Sequence, residues 1–185
     1  MKNKGKIFEE SIRNSINKEK QLLIRLNDQP QSFANTAKFS LKNPFDYILY
    51  NTIDGKLWCL ELKSTSGKSI SFEDINSDKE EQKMIHKHQI KSLLEYSKYN
   101  GVIAGFLFNF RHFEGEPNAI EMTYFMEIND FQKMCEKINK KSFNEVDAVL
   151  NGAVKVHGAK KRTRYTWDVG LLLEQYNKNM NKECK

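Results

Sequence analysis

The sequence has few of the residues that staple or anchor a chain. Its three cysteines, Cys59, Cys135 and Cys184, are scattered with no C-x-x-C spacing. That suggests neither a disulfide framework nor a structural zinc site, and it suits a reducing cytoplasm. No apolar run approaches membrane-spanning length, and basic Met1 to Lys6 leads into an amphipathic stretch containing acids rather than a signal-peptide core. A soluble, unexported protein with no membrane partner is expected. There is no internal repeat and no low-complexity domain. The 185 residues, 39% of them hydrophobic, are enough for one domain over 1–185 with a real core. A net charge of +6 and a pI near 9.1 favour a polyanionic partner, although ribosomal, membrane-surface and heparin-type binders share such values.

The order of elements reads as α/β with a mixed sheet. Phe8, Ile12 and Ile16 recur at four-residue spacing and predict a first helix from about Lys4 to Lys18, with Glu9 at the edge of its buried stripe. Leu22 to Leu26 predicts a short strand, and Asn27 to Asn43, rich in Gln, Asn and Ser, a long connection. Ser66-Gly67-Lys68 suits a turn, with Ile70 and Phe72 in a short strand after it. Glu80 to Tyr99 predicts a helix with Met84, Ile85, Leu93 and Leu94 as core and Gly101 as its stop. Gly101 to Phe110 predicts a central strand buried on both faces, Ala119 to Ile128 another strand, and Asp130 to Lys140 a helix. Phe106, Phe108, Phe110, Tyr124 and Phe125 are expected in the core rather than as base-stacking platforms.

The most informative stretch is Pro44-Phe45-Asp46 followed, after a turn, by Glu61-Leu62-Lys63. Phe45 to Tyr50 is aromatic and β-branched, Asp54-Gly55 suits a turn, and Leu57 to Lys63 reads as a second strand, which together make a hairpin. Alternation puts Cys59, Glu61 and Lys63 on one face and Trp58, Leu60 and Leu62 on the other, toward the core. Asp46 lies about as far from the turn as Glu61 and Lys63 do, so cross-strand pairing brings the three together. A hard cation such as Mg²⁺ takes oxygen ligands and keeps water, so Asp46, Glu61 and the Leu62 backbone carbonyl can hold one. Lys63 would then orient or deprotonate an attacking water or offset charge on a pentavalent phosphate. The alternative is a surface hairpin whose Glu and Lys pair in solvent.

These residues resemble the PD-(D/E)XK signature of restriction-endonuclease-like nucleases, with Phe45 inserted between the Pro and the Asp. Within that superfamily the chain is similar to the RecU-type Holliday junction resolvases, as a divergent phage or bacterial member. Gly5-Lys6-Ile7-Phe8-Glu9, Glu61-Leu62-Lys63-Ser64-Thr65 with Ser71-Phe72, and Ile85-His86-Lys87-His88-Gln89-Ile90 carry the likeness, which covers the first two thirds of the chain better than the last. It implies a restriction-endonuclease-like mixed β-sheet flanked by helices. It further implies Asp46 and Glu61 as metal ligands, Lys63 as the catalytic lysine, Glu9 as the helix-borne acid that completes the site, and Gln89 as an addition to it. The implied activity is Mg²⁺-dependent cleavage of four-way DNA junctions in recombination and repair, with Mn²⁺ able to substitute, by a homodimer in a bacterial or phage-infected cell. Relatives carry a basic stalk between the first helix and the catalytic Asp. Here Gln21 to Asn43 is short for that element and offers only Arg25, Lys38 and Lys42, with Phe33 and Phe39 as further DNA contacts. A PD-(D/E)XK enzyme acting on other DNA, of restriction or repair type, and a catalytically inactive DNA-binding accessory protein are the alternatives.

Further DNA contacts are expected at Lys68, at His86 and His88, and at Lys160, Lys161, Arg162 and Arg164. His86 and His88 are two apart, which on a helix separates them and argues against shared metal ligation. The basic run around Gly158 suits phosphate contact without base reading, or else is a solvated loop leading into a helix from Asp168 to Asn177.

Overall fold

The structure, a computed structural model, describes residues 3–26, 43–77 and 81–183, and of 179–183 the backbone alone. Most of the stalk-like connection, with Phe33, Lys38, Phe39 and Lys42, lies outside the described residues, as does Cys184.

Helix α1 (Lys4–Asn14) starts where the Asn3 side chain accepts the Gly5 N–H, and buries Phe8, Ser11 and Ile12. It stops at Asn14 instead of Lys18. The Ser15 hydroxyl donates to the Ser11 carbonyl (2.7 Å) and accepts the Trp167 N–H (2.9 Å), so a distant strand claims the next turn and Ile16 packs from outside the helix. Strands β1 (Gln21–Arg25), β2 (Tyr47–Asn51) and β3 (Leu57–Thr65) form an antiparallel meander. After β4 (Ile70–Ser71) and helix α2 (Lys87–Tyr96), β5 (Val102–His112) lies parallel to β3. Then come β6 (Ile120–Glu127), α3 (Ile128–Ile138), β7 (Ser142–Phe143), α4 (Glu145–Leu150) and β8 (Val154–Val156). A hairpin of β9 (Gly158–Lys161) and β10 (Arg164–Trp167) precedes α5 (Val169–Glu183).

The main sheet has the order β1-β2-β3-β5-β6-β8, antiparallel except at the β3–β5 pair. This is the expected α/β architecture, a mixed sheet flanked by helices. Alternation assigns its two faces. Cys59, Phe106, Phe108, Phe110 and Met126 pack with Ile90 and Leu93 of α2 and with Phe131 and Met134 of α3. Trp58, Leu60, Leu62, Leu107 and Phe125 pack with Phe8 and Ile12 of α1 and with Leu172, Leu173 and Tyr176 of α5. Every residue from Ile103 to Phe110 is buried, so β5 is the central strand its composition predicts. At Gly105 a Cβ would stand 2.3 Å from the Met126 carbonyl oxygen, so only glycine lets β6 approach.

Two elements differ from expectation. The helix predicted from Glu80 begins only at Lys87, because the Ile85 N–H bonds the Ser71 carbonyl (3.0 Å) and the Ile85 carbonyl accepts the Glu73 N–H (2.9 Å). Met84 and Ile85 therefore reach the core from extended chain beside β4. The basic segment is not a loop but the β9–β10 hairpin, where Trp167 lies across Gly158 so closely that a Cβ there would stand 2.4 Å from its ring. A lone glycine among charges does not announce that contact.

Candidate active site

The β2–β3 turn fixes the site's register. Gly55 takes φ 68°, the Asp54 side chain accepts the Lys56 N–H (3.0 Å), and Leu49 pairs with Trp58 and Tyr47 with Leu60. One step beyond the ladder the Asp46 N–H donates to the Leu60 carbonyl (3.1 Å), which sets Asp46 beside Glu61. The Asp46 carboxylate accepts the Leu62 N–H (2.8 Å). In an extended strand a residue's N–H and C=O leave on the same side, so the Leu62 carbonyl also projects toward this edge, past the start of β2.

Glu61 is 2% exposed. Its Oε1 receives the Lys63 ammonium at 3.0 Å and a hydrogen bond from the Gln89 side-chain amide. Gln89 is the third residue of α2, and its Oε1 accepts the His86 N–H (3.0 Å), so the cap that starts the helix also orients the amide that holds Glu61. The pair on the β3 strand is therefore largely withdrawn from solvent: Cys59 and Glu61 are buried as Trp58, Leu60 and Leu62 are, and the Lys63 side chain is 15% exposed, which corrects the expectation that only the Trp58 face turns to the core.

Burial pushes the Glu61 carboxyl up to about 7, against the pull of Lys63 and helped by the Asp46 carboxylate. Burial also raises Asp46, opposed by the Leu62 N–H and Lys63. Two shielded carboxylates beside one ammonium are short of positive charge, and a divalent cation would supply it. Among the described residues no three His, Cys, Asp or Glu side chains form a metal cluster by themselves. The donor set is two carboxylates and a peptide carbonyl, which fits a hard cation that keeps several waters better than it fits zinc.

Glu9 stands one step outside. It comes from α1, on the opposite face of the sheet, and its Oε2 accepts from the Tyr47 hydroxyl (3.3 Å) and Arg25 Nε (3.2 Å). Its charge still reaches Asp46 and raises it. Arg25, expected as a DNA contact, is thus an ion-pair partner of Glu9. Tyr47, the residue after Asp46, was legible only as a strand former, yet its hydroxyl ties the α1 acid to the start of β2.

The second unanticipated residue is Glu73, which is 5% exposed. Its carboxylate accepts the N–H groups of Lys87 (2.6 Å) and Glu81 (3.2 Å) and contacts His86 Nδ1 at 3.2 Å. It caps α2 and seats the segment that brings Gln89 to Glu61. Only its position after Ser71-Phe72 hints at this. Because His86 precedes the helix in extended conformation, the separation expected for His86 and His88 does not hold, and their rings stack at 5.7 Å. Of the remaining expected DNA contacts, Lys68 is exposed on its turn. Lys160, Lys161 and Arg162 are exposed on the β9–β10 hairpin, and Arg164 pairs with Glu10 (2.9 Å). Arg162 holds φ 56° at the two-residue hairpin turn, a conformation that favours glycine.

Fold and site together define an α/β protein with a carboxylate–lysine cluster at the open end of a central hairpin. In an alignment of 181 positions that covers 92% of its length and 85% of the other's, the chain is 35% identical to the SPbeta prophage-derived uncharacterized protein YotM of Bacillus subtilis (strain 168), and it belongs to that protein's family. No protein-family model matches the chain. Among the described residues no helix is long and apolar enough to cross a membrane.

Proposed function

We infer that the protein is a Mg²⁺-dependent endodeoxyribonuclease that cuts four-way DNA junctions during recombination and repair. The observation that carries this reading is the meeting of Asp46, Glu61 and Lys63 across the β2–β3 pair, with Glu61 Oε1 held by both Lys63 and Gln89. Asp46, Glu61 and the Leu62 carbonyl would hold the cation; Mn²⁺ has the same ligand preference and would substitute. When bound, the cation supplies Lewis-acid polarisation of the scissile phosphate. Lys63, fixed by Glu61, faces the place where the phosphate gains charge and orients the attacking water. Gln89 keeps Glu61 from turning away, and Glu9, held by Tyr47 and Arg25, adds negative charge beside Asp46.

The choice of a junction rests on the RecU-type resemblance, and so does the homodimer. Cutting two opposed strands needs two active sites, and a two-fold dimer supplies them with matching symmetry. The exposed cations of the β9–β10 hairpin support a polyanionic substrate, and the strained turn at Arg162 keeps a cation where glycine would be easier. The prophage origin of the YotM relative supports action in the cytoplasm of a bacterial or phage-infected cell.

The test is cleavage of a labelled four-way junction and a matched linear duplex, each with Mg²⁺ and with EDTA. Symmetric Mg²⁺-dependent cuts in the junction alone are expected. Cutting of both substrates would make the protein a nuclease of broader choice, and tight binding without cutting would make it an accessory protein.

A further inference from the structure

On the α1 side of the sheet, beyond the end of β3, lies a second cluster of charge that the active site does not use. A cavity of about 190 Å³ opens between the start of α1, the end of β5, the turn after it and the β9–β10 hairpin. Lys4, Arg111 and Lys160 bring cations to it, Glu114 and Glu121 carboxylates, and Tyr165 a hydroxyl. The Arg111 side chain is 12% exposed, and among the described residues its guanidinium makes one bond, from NH1 to Glu114 at 3.3 Å. Its Nε is sealed from water and bonds nothing among the described residues. A guanidinium has five N–H donors, and burying one with so few acceptors is costly unless an acceptor can enter beside it.

The groups around Arg111 favour an anion. Lys4 already draws Glu114 to 2.6 Å, so one carboxylate is shared between two cations. Glu121 receives the Asn109 amide at 3.2 Å, which engages its carboxylate, and burial raises its pKa. Tyr165 accepts the Glu121 N–H (3.1 Å), which leaves the phenol proton to donate. Lys160 is exposed at the mouth. Three cations face two carboxylates.

We propose that this cavity is a second anion site that takes a phosphate group, contacted by Arg111, Lys4, Lys160 and the Tyr165 hydroxyl, with the exposed Glu114 as the carboxylate a phosphate displaces. The phosphate is one of the DNA backbone, an assignment that rests on the nuclease reading. β3 pairs with β5 up to Thr65 and Phe110, so Arg111 follows at the end of the pair where Ser66 leaves β3. From Glu61 to that point is roughly 16 Å at about 3.3 Å per residue. Glu61 and Arg111 leave opposite faces of the sheet, so a duplex that met both would pass around the end of the β3–β5 pair.

The full-length chain, in EDTA, would be titrated with inorganic phosphate by calorimetry and with a fluorescent 16-base-pair duplex by anisotropy across a salt series. Arg111→Gln should weaken phosphate binding by about tenfold or more, and lower the salt slope of log DNA affinity by about one. Glu114→Gln lies on an exposed turn, leaves the fold intact and should tighten both several-fold. A response to phosphate without one to the duplex supports the anion site with free phosphate as its source. No response of either probe to either variant overturns the proposal. Because both titrations omit Mg²⁺, the site stands even if the wild-type chain cuts no DNA. Conversely, a cutting enzyme with flat titrations leaves the nuclease reading and removes this site.

Discussion

The β2–β3 and β9–β10 hairpins treat charge in opposite ways. In β2–β3 the acids Asp46 and Glu61 and the base Lys63 are withdrawn into the sheet, bonded to a peptide N–H, to each other and to Gln89, and both carboxyls are raised by burial. In β9–β10 the residues Lys160, Lys161 and Arg162 stand in solvent, and the buried contact beneath them is apolar, Trp167 across Gly158. Buried charge acts over a few ångströms in a medium that does not screen it, which suits bond making and breaking. Exposed charge acts over a Debye length and is weakened by salt, which suits capture of a polyanion.

Cleavage gives this comparison its largest test. Glu61→Gln keeps the shape but removes the charge that holds Lys63, so cleavage of a junction should fall by about 10³-fold, within the range seen for positioned catalytic groups. Binding of the same junction should change less than twofold. Loss of both together would make Glu61 a residue of the fold alone.

Next in size is the pH dependence of stability without metal. The Glu61 carboxyl moves from 4.5 in the unfolded chain up to about 7 in the fold. The folded chain then binds the extra proton between those values, so stability falls as pH rises from 4.5 through 7 and is flat above. The loss is about 3 kcal/mol at most. Thermal melts from pH 5 to pH 8 should show a steeper decline for the wild type than for Glu61→Gln. Mg²⁺ should restore the wild type at pH 8 and leave the variant unmoved. Equal pH slopes would place the Glu61 carboxylate in water.

How much of this was legible differs between the hairpins for a physical reason. Period-two alternation and an Asp-Gly turn are local signals, and they set the Asp46–Glu61–Lys63 register before any tertiary contact is known. Gln89 and Glu9 were named through resemblance, and the structure brings Gln89 to Glu61 while Glu9 stays with Tyr47 and Arg25. Glu73 was not legible, because its role depends on Ile85 leaving the helical pattern to bond the strand at Ser71. Long-range backbone pairing overrides helix periodicity there. The β9–β10 hairpin was hidden for a related reason: its two-residue turn is Arg162-Thr163, without the Asn-Gly or Asp-Gly that normally announces one.

Exposed charge gives a smaller effect. Neutralising Lys161 and Arg162 to Gln should lower the salt slope of log DNA affinity by about two and leave the cleavage rate at saturating DNA unchanged. An unchanged slope would return both residues to solvent. A cleavage defect at saturation would mean that the hairpins are coupled.

The smallest effect separates function from stability at a single position. Arg162 sits at φ 56°, where a side chain costs about 1 kcal/mol relative to glycine. Arg162→Gly should therefore raise the unfolding free energy by about that amount while weakening DNA binding by one phosphate contact. The two changes have opposite signs, which no general loosening of the hairpin would produce. Asn at the same position tolerates the left-handed region and carries no charge, so it should recover part of the stability and none of the binding. If Arg162→Gly gained stability and lost no affinity, the cation at the turn would have no role in binding DNA, and the contrast between the hairpins would rest on Lys160 and Lys161 alone.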